Sequence, residues 1–114
     1  MTSCECSTAC LDGTSTIGPG EARATAEVLK VLAEPSRLQI LGMISGSHEG
    51  ERCICDLTEP LGLSQPTVSH HMRLLREAGI VEGERRGKWV YFRLADDLPP
   101  AARAVLGTVL EAPV

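Results

Sequence analysis

Gly62, Gly79 and Gly87 cut residues 55–94 into a short helix, a longer helix and two strands, and that punctuation leaves little choice of architecture. Between Gly62 and Gly79, Ser64 is a good N-cap and Pro66 lies in the first turn. Val68, Met72 and Leu75 recur at the spacing that lines up one inward helix face. Gly79 suits a left-handed C-cap. Beyond it, the run IVEGERR and the run from Lys88 to Leu94 flank Gly87, the tight position of a hairpin. In the second of these strands Val90, Phe92 and Leu94 face one way, and Trp89, Tyr91 and Arg93 the other.

The rest of the chain reads as helix on either side of this block. From Glu21, Ala22, Ala26, Leu29 and Ala33 share a helical face, with Val28 and Leu32 beside them. Glu34-Pro35 ends that helix, because the residue before proline is pushed out of the α region, and Pro35 can open a second one. Leu38, Leu41 and Ile44 form its buried stripe, and residues 45–50 form a loop. A third helix is expected over Cys55–Leu61. The last carries Leu98, Ala102, Val105 and Val109 and is begun by Asp96, Asp97 and the Pro99-Pro100 pair. The order is α-α-α-α-β-β-α: a mainly α chain with a β-hairpin. With 114 residues there is room for one domain, expected over residues 20–112. Residues 1–19, rich in Ser, Thr, Gly and Pro, read as a flexible arm carrying Cys4, Cys6 and Cys10.

A hydrophobic share of 43% is too apolar for general disorder, and no apolar run approaches the ~20 residues of a membrane span. The first twenty residues have neither the basic start nor the apolar middle of a secretory signal, so a cytoplasmic protein is expected. The net charge is −4, unevenly spread. Residues 64–93 hold six Arg or Lys against three Glu, whereas the remainder holds five basic against twelve acidic residues. One positive strip on an acidic body suits a chain that touches a polyanion with a single surface.

A helix, a short turn at Gly62, a second helix and a basic hairpin make the winged helix-turn-helix arrangement, whose second helix enters the DNA major groove. Gln65, Thr67, Ser69, His70 and Arg73 project away from the Val68/Met72/Leu75 stripe, with Ser64 at the cap. Gln pairs with adenine, Ser and Thr donate or accept, and Arg suits guanine or phosphate. Arg85, Arg86 and Lys88 crowd the hairpin tip, where a phosphate would relieve their repulsion. His70 and His71 point about 100° apart on a helix, so they neither face DNA together nor ligate one metal. His71 is expected to pack, neutral and hydrogen-bonded, against the neighbouring helix.

The five cysteines are Cys4, Cys6, Cys10, Cys53 and Cys55. Thiolates select soft ions: Zn, Cd, Pb, and by the same logic As(III) and Sb(III). Cys53 and Cys55 on a regular helix would point about 200° apart. One ion can take both only if the helix start unwinds or Cys53 lies ahead of it. Two thiolates rarely complete a site, so further ligands are expected from the arm. Residues 11–20 extend at most ~33–36 Å, ample to reach the core of either subunit of a dimer. A redox switch through an arm-to-core disulfide is the competing chemistry. No nucleophile–base pair or open metal site suggests an enzyme.

The stretch ERCICDLTEPLGLSQPTVSHHMRLLREAGIVEGERRGKWVYFRL resembles the ArsR/SmtB family of metal-sensing winged-helix repressors, through its CxCDL, SQPTxSHH and GxWVYxxL strings. The resemblance runs from about Glu21 to Leu110. It implies a homodimer, built from the first and last helices, that binds a palindromic operator in double-stranded DNA and leaves it when an inducing metal binds. Glu34 stands where the family usually has Asp, a weaker cap. The arsenic-responsive archetype has a third cysteine where this chain has Thr58. Cys6-x-x-x-Cys10 with the later CxC resembles the cadmium- and lead-sensing branch, while the core looks nearer to arsenic sensors. The family's second metal site on the last helix has no histidine here to build it. As(III)/Sb(III) is therefore the favoured inducer, with Cd(II), Pb(II) or Zn(II) as the alternative.

Overall fold

The computed structural model describes residues 16–110, so the arm cysteines Cys4, Cys6 and Cys10 and residues 111–114 lie outside the described residues. The order is α1 (Pro19–Leu32), α2 (Pro35–Ser45), β1 (Glu51–Cys53), α3 (Thr58–Leu61), α4 (Gln65–Glu77), β2 (Val81–Arg86), β3 (Trp89–Leu94) and α5 (Pro100–Val109). Single 3-10 turns at His48–Gly50 and Ile54–Asp56 bracket β1. Among the described residues no helix is long and apolar enough to cross a membrane.

The winged helix-turn-helix expectation holds, with one addition. The sheet has three antiparallel strands in the order β1-β3-β2, not two. β1 pairs with β3 through Glu51 opposite Arg93, Arg52 opposite Phe92 and Cys53 opposite Tyr91. Three residues carry no readable period, and the strand exists only because a partner about forty positions later offers its free edge. Its base is tethered where Arg52 Nε donates to Ser47 Oγ at 2.7 Å and Ser47 Oγ donates to the Met43 carbonyl at 2.6 Å.

Three boundaries and one buried face differ from the sequence reading. The third helix does not start at Cys55: a 3-10 turn precedes a helix that begins only at Thr58. Pro60 explains the break, since it has no N–H and fits only within the first turn, where no donor is needed. α1 opens at Pro19, inside the segment read as linker. The last helix opens at Pro100 rather than at the aspartates. Finally, the face of α1 turned to the core is Val28, Val31 and Leu32, while Leu29 remains 41% exposed. Leu29 and Val109, 55% exposed, leave apolar surface on α1 and α5, two helices that pack on one another.

The core joins Ile40, Leu41 and Ile44 of α2 to Leu57, Val68, Met72, Leu75, Ile80 and Phe92. Glu34 is the N-cap of α2: its Oε1 accepts the Arg37 backbone N–H at 3.1 Å, so the longer side chain still reaches.

Candidate functional site

α3 and α4 are joined by a turn in which Gly62 has φ 69°, the left-handed region where a Cβ is costly. The turn sets α4 on the core by Val68, Met72 and Leu75, each at most 1% exposed. Ser64 caps α4 as expected, its Oγ accepting from the Thr67 backbone N–H at 3.4 Å and lying 3.0 Å from Thr67 Oγ1. Gln65, Thr67, Ser69, His70 and Arg73 are all exposed along the opposite face. Arg73 Nη2 and His70 Nδ1 are 2.8 Å apart, so these two side chains act as a pair on that face.

His71 turns inward. Arg37 Nε donates to its Nδ1 at 3.1 Å, while Arg37 Nη1 donates to the Val31 carbonyl at 3.0 Å. Only a neutral imidazole can accept that bond. Burial holds the His71 pKa below its ordinary value, with Arg37 and His70 adding to the effect and Glu34 opposing it.

The hairpin has two unlike faces, because successive strand residues alternate sides. Gly83 faces Phe92 across the ladder, and a Cβ at Gly83 would meet Phe92 Cε1 at 2.8 Å. Glycine is required there for close approach. Arg85 and Lys88 border the groove between α4 and the hairpin, a space of about 320 Å³. Arg86 lies on the opposite face. Its Nη1 is 2.6 Å from Glu51 Oε1, its Nη2 2.7 Å from Glu84 Oε1, and its guanidinium stacks 4.6 Å above the Tyr91 ring. Arg93 and Glu82 pair beside it at 2.9 Å. Hydrogen bonding to Arg86 holds the Glu51 carboxyl below its ordinary range. The three tip cations thus divide: Arg85 and Lys88 face α4, and Arg86 is held by two carboxylates. The alternation of Arg85 and Arg86 was readable in the sequence. Glu51, as Arg86's partner, was not, because β1 was missed.

Cys53 and Cys55 meet. Cys53 ends β1 and caps the following 3-10 turn, so it lies ahead of the helical residues, one of the two ways in which one ion could reach both sulfurs. The sulfurs are 2.7 Å apart, and Cys53 Sγ accepts from the Cys55 backbone N–H at 3.5 Å. Cys53 is buried, 3% exposed, whereas Cys55 is at the surface. The hydrogen bond with Cys53 raises the Cys55 pKa to about 11, with desolvation, the neighbouring Cys53 sulfur and the Asp56 carboxylate adding to the effect. Two convergent soft donors fit a thiophilic ion, but among the described residues no third ligand joins them. Thr58, at the place of the archetype's third cysteine, directs its hydroxyl to the Cys55 carbonyl at 3.5 Å.

Residues 34–83 match the model of the bacterial regulatory protein, arsR family. The arsenical resistance operon repressor of Escherichia coli is 40% identical over 80 residues, 70% of this chain and 67% of the relative. The chain belongs to the ArsR family.

A second relative, the arsenic resistance transcriptional regulator ArsR1 of Pseudomonas putida, is 45% identical over 85 residues, 75% of this chain and 65% of the relative. The chain therefore spans about two thirds of the length of these two curated relatives. Among solved structures, the homodimeric winged helix-turn-helix DNA-binding domain Mb0332 from Mycobacterium bovis superposes with a TM-score of 0.66 at 31% identity, over 86% of this chain and 88% of that one. ArsR-family members are DNA-binding regulators, not enzymes.

Proposed function

We propose that this chain is a homodimeric repressor that holds operator DNA when metal-free and releases it when its thiolates take up As(III) or Sb(III). The observation that carries the reading is the convergence of Cys53 and Cys55 at the seam leading into the DNA-reading helices. Gln65, Thr67, Ser69, His70 and Arg73 would meet base edges and nearby phosphates, with Ser64, Arg85 and Lys88 on the backbone. Arg86, already paired, would add less. The exposed apolar residues of α1 and α5 support the dimer. Two such reading helices would enter major grooves about one DNA turn (~34 Å) apart.

The link from thiol to DNA runs through Ile54, which stands between the two cysteines and borders the same groove as Gln65, Ser69 and Met72 of α4. Cys53, in turn, is laddered to Tyr91 of the hairpin. Any change in how the sulfurs are held therefore moves a residue wedged under the reading helix and the edge of the sheet carrying the wing. A coupling of about 1–3 kcal/mol suffices for a 5–150-fold fall in DNA affinity.

The ion would supply bonding to sulfur: with arsenous acid each As–S bond would form as an arsenic-bound hydroxide leaves with a thiol proton as water, whereas a divalent ion would release the thiol protons to solvent. Three thiolates neutralise a trivalent arsenic, which favours Cys53 and Cys55 with one of Cys4, Cys6 or Cys10. Four would suit Cd(II), Pb(II) or Zn(II). The deciding measurement is release of labelled operator by arsenite and by cadmium under strong reductant, with X-ray absorption counting sulfur neighbours. Arsenite-driven release with three sulfurs is expected. Release by cadmium alone would move the chain to the divalent-ion branch, and release only on oxidation would make it a redox switch.

A further inference from the structure

The groove between α4 and the hairpin is lined by cations and by one exposed indole. Arg76 from the last turn of α4 and Trp89 from the start of β3 border it together with Gln65, Ser69, Arg85 and Lys88. Among the described residues no carboxylate lines it. On the other face of the same hairpin Glu51, Glu82 and Glu84 surround the cavity together with Arg86 and Arg93, and the two arginines are paired with these carboxylates. An anion approaching the hairpin is drawn to the face whose cations have no carboxylate beside them.

Trp89 is the single tryptophan of the chain and is left 45% exposed, although the core has few aromatics to fill it. Lys88 Nζ sits 5.6 Å over its ring, so the indole and the ammonium present one combined surface. Arg76 is exposed, its guanidinium resting 5.7 Å over the Phe92 ring, which braces it on the groove wall. An exposed indole flanked by cations offers a flat apolar plate and one N–H donor. A chain of alternating sugars and phosphates matches that pattern, sugar to plate and phosphate to cation.

We propose that this groove seats one sugar–phosphate strand of duplex DNA, with Trp89 packed against a deoxyribose and Arg76 joining Arg85 and Lys88 on the flanking phosphates. The inference rests on the DNA-binding reading and deepens it by naming two contacts that carry no base specificity. Gln65 and Ser69 on the α4 wall make the seated strand one whose bases the helix reads.

Because sugar and phosphate are common to every sequence, the test needs no operator. The full chain is titrated with a 30-base-pair duplex of arbitrary sequence at low salt, following both duplex anisotropy and emission from Trp89. Saturable change in Trp89 emission is expected. Trp89→Ala should weaken binding on the order of tenfold, and Trp89→Phe much less, since a ring is retained. Arg76→Gln should lower the slope of log affinity against log salt by about one per subunit. Trp89 is exposed at a hairpin tip, and far-UV circular dichroism checks that the variants stay folded. If the native chain binds the duplex while Trp89→Ala binds equally well and emission is unchanged, the seat is overturned and DNA binding stands. If the native chain binds no duplex, the DNA-binding reading falls with it.

Discussion

Arg86 Nη1 lies 2.6 Å from Glu51 Oε1, so the wing is bolted to the short strand that ends at Cys53. The same guanidinium holds Glu84 and stacks on Tyr91, the residue paired with Cys53 across the sheet. A guanidinium with two carboxylates on its N–H edge and a ring against one face is poorly placed to neutralise a phosphate as well.

Arg85→Ala should therefore lower the salt slope of DNA binding by about one per subunit, whereas Arg86→Ala should leave it nearly unchanged. Arg86→Ala should instead lower the melting temperature of the protein. Because Arg86 depresses the Glu51 pKa, that stabilisation is present above about pH 4.5 and is lost as pH falls through the folded value. Equal salt slopes for Arg86→Ala and the native chain, with unequal melting, would be the supporting result. A slope reduced as much as in Arg85→Ala would show Arg86 on the DNA.

Gly83→Ala should destabilise the fold by about 1–3 kcal/mol in urea unfolding, the usual cost of forcing atoms into a packed site. The new methyl would meet the Phe92 ring at 2.8 Å, and Phe92 is buried. Phe92→Leu in the same background should recover part of the loss, because it removes the edge that collides.

Lowering the pH should weaken the fold through His71. Its folded pKa is depressed, chiefly by burial, so its contribution is complete above the ordinary value of 6.5 and declines as pH falls below it. Protonation also removes the acceptor for Arg37 Nε. Urea midpoints measured from pH 8 to pH 5 should fall in the native chain and fall less in His71→Gln. Identical pH profiles would show that other groups govern acid stability.

Cys53→Ser and Cys55→Ser should differ in stability and agree in function. The first places a hydroxyl in a buried site and should cost about 1–3 kcal/mol, whereas the second, at the surface, should cost little. Both should bind DNA and fail to release it with arsenite, read by anisotropy under reductant. Normal release by Cys55→Ser would remove this pair from the sensing step.

Local order in this chain was written in the sequence. Ser64, Pro66, Val68, Met72, Leu75 and Gly79 specify a capped helix with one buried face, and Gly87 between alternating residues specifies a hairpin, because caps, periodicity and positive φ act within a few residues of one another. The exposed row from Gln65 to Arg73 follows from the same periodicity, and so does the inward turn of His71. Long-range pairing was not written there. Glu51–Cys53 is a strand only because β3 supplies hydrogen bonds from about forty residues away, and that pairing sets Cys53 ahead of the turn, beside Cys55. The division of Arg85 from Arg86 needed the same sheet, since the face an arginine occupies matters only once Glu51 stands on one side and α4 on the other. Side chains far apart in the chain acquire partners only when the backbone closes: the DNA groove is made of such partners, and the thiol pair, though local in sequence, takes its geometry from the long-range pairing of β1 with β3.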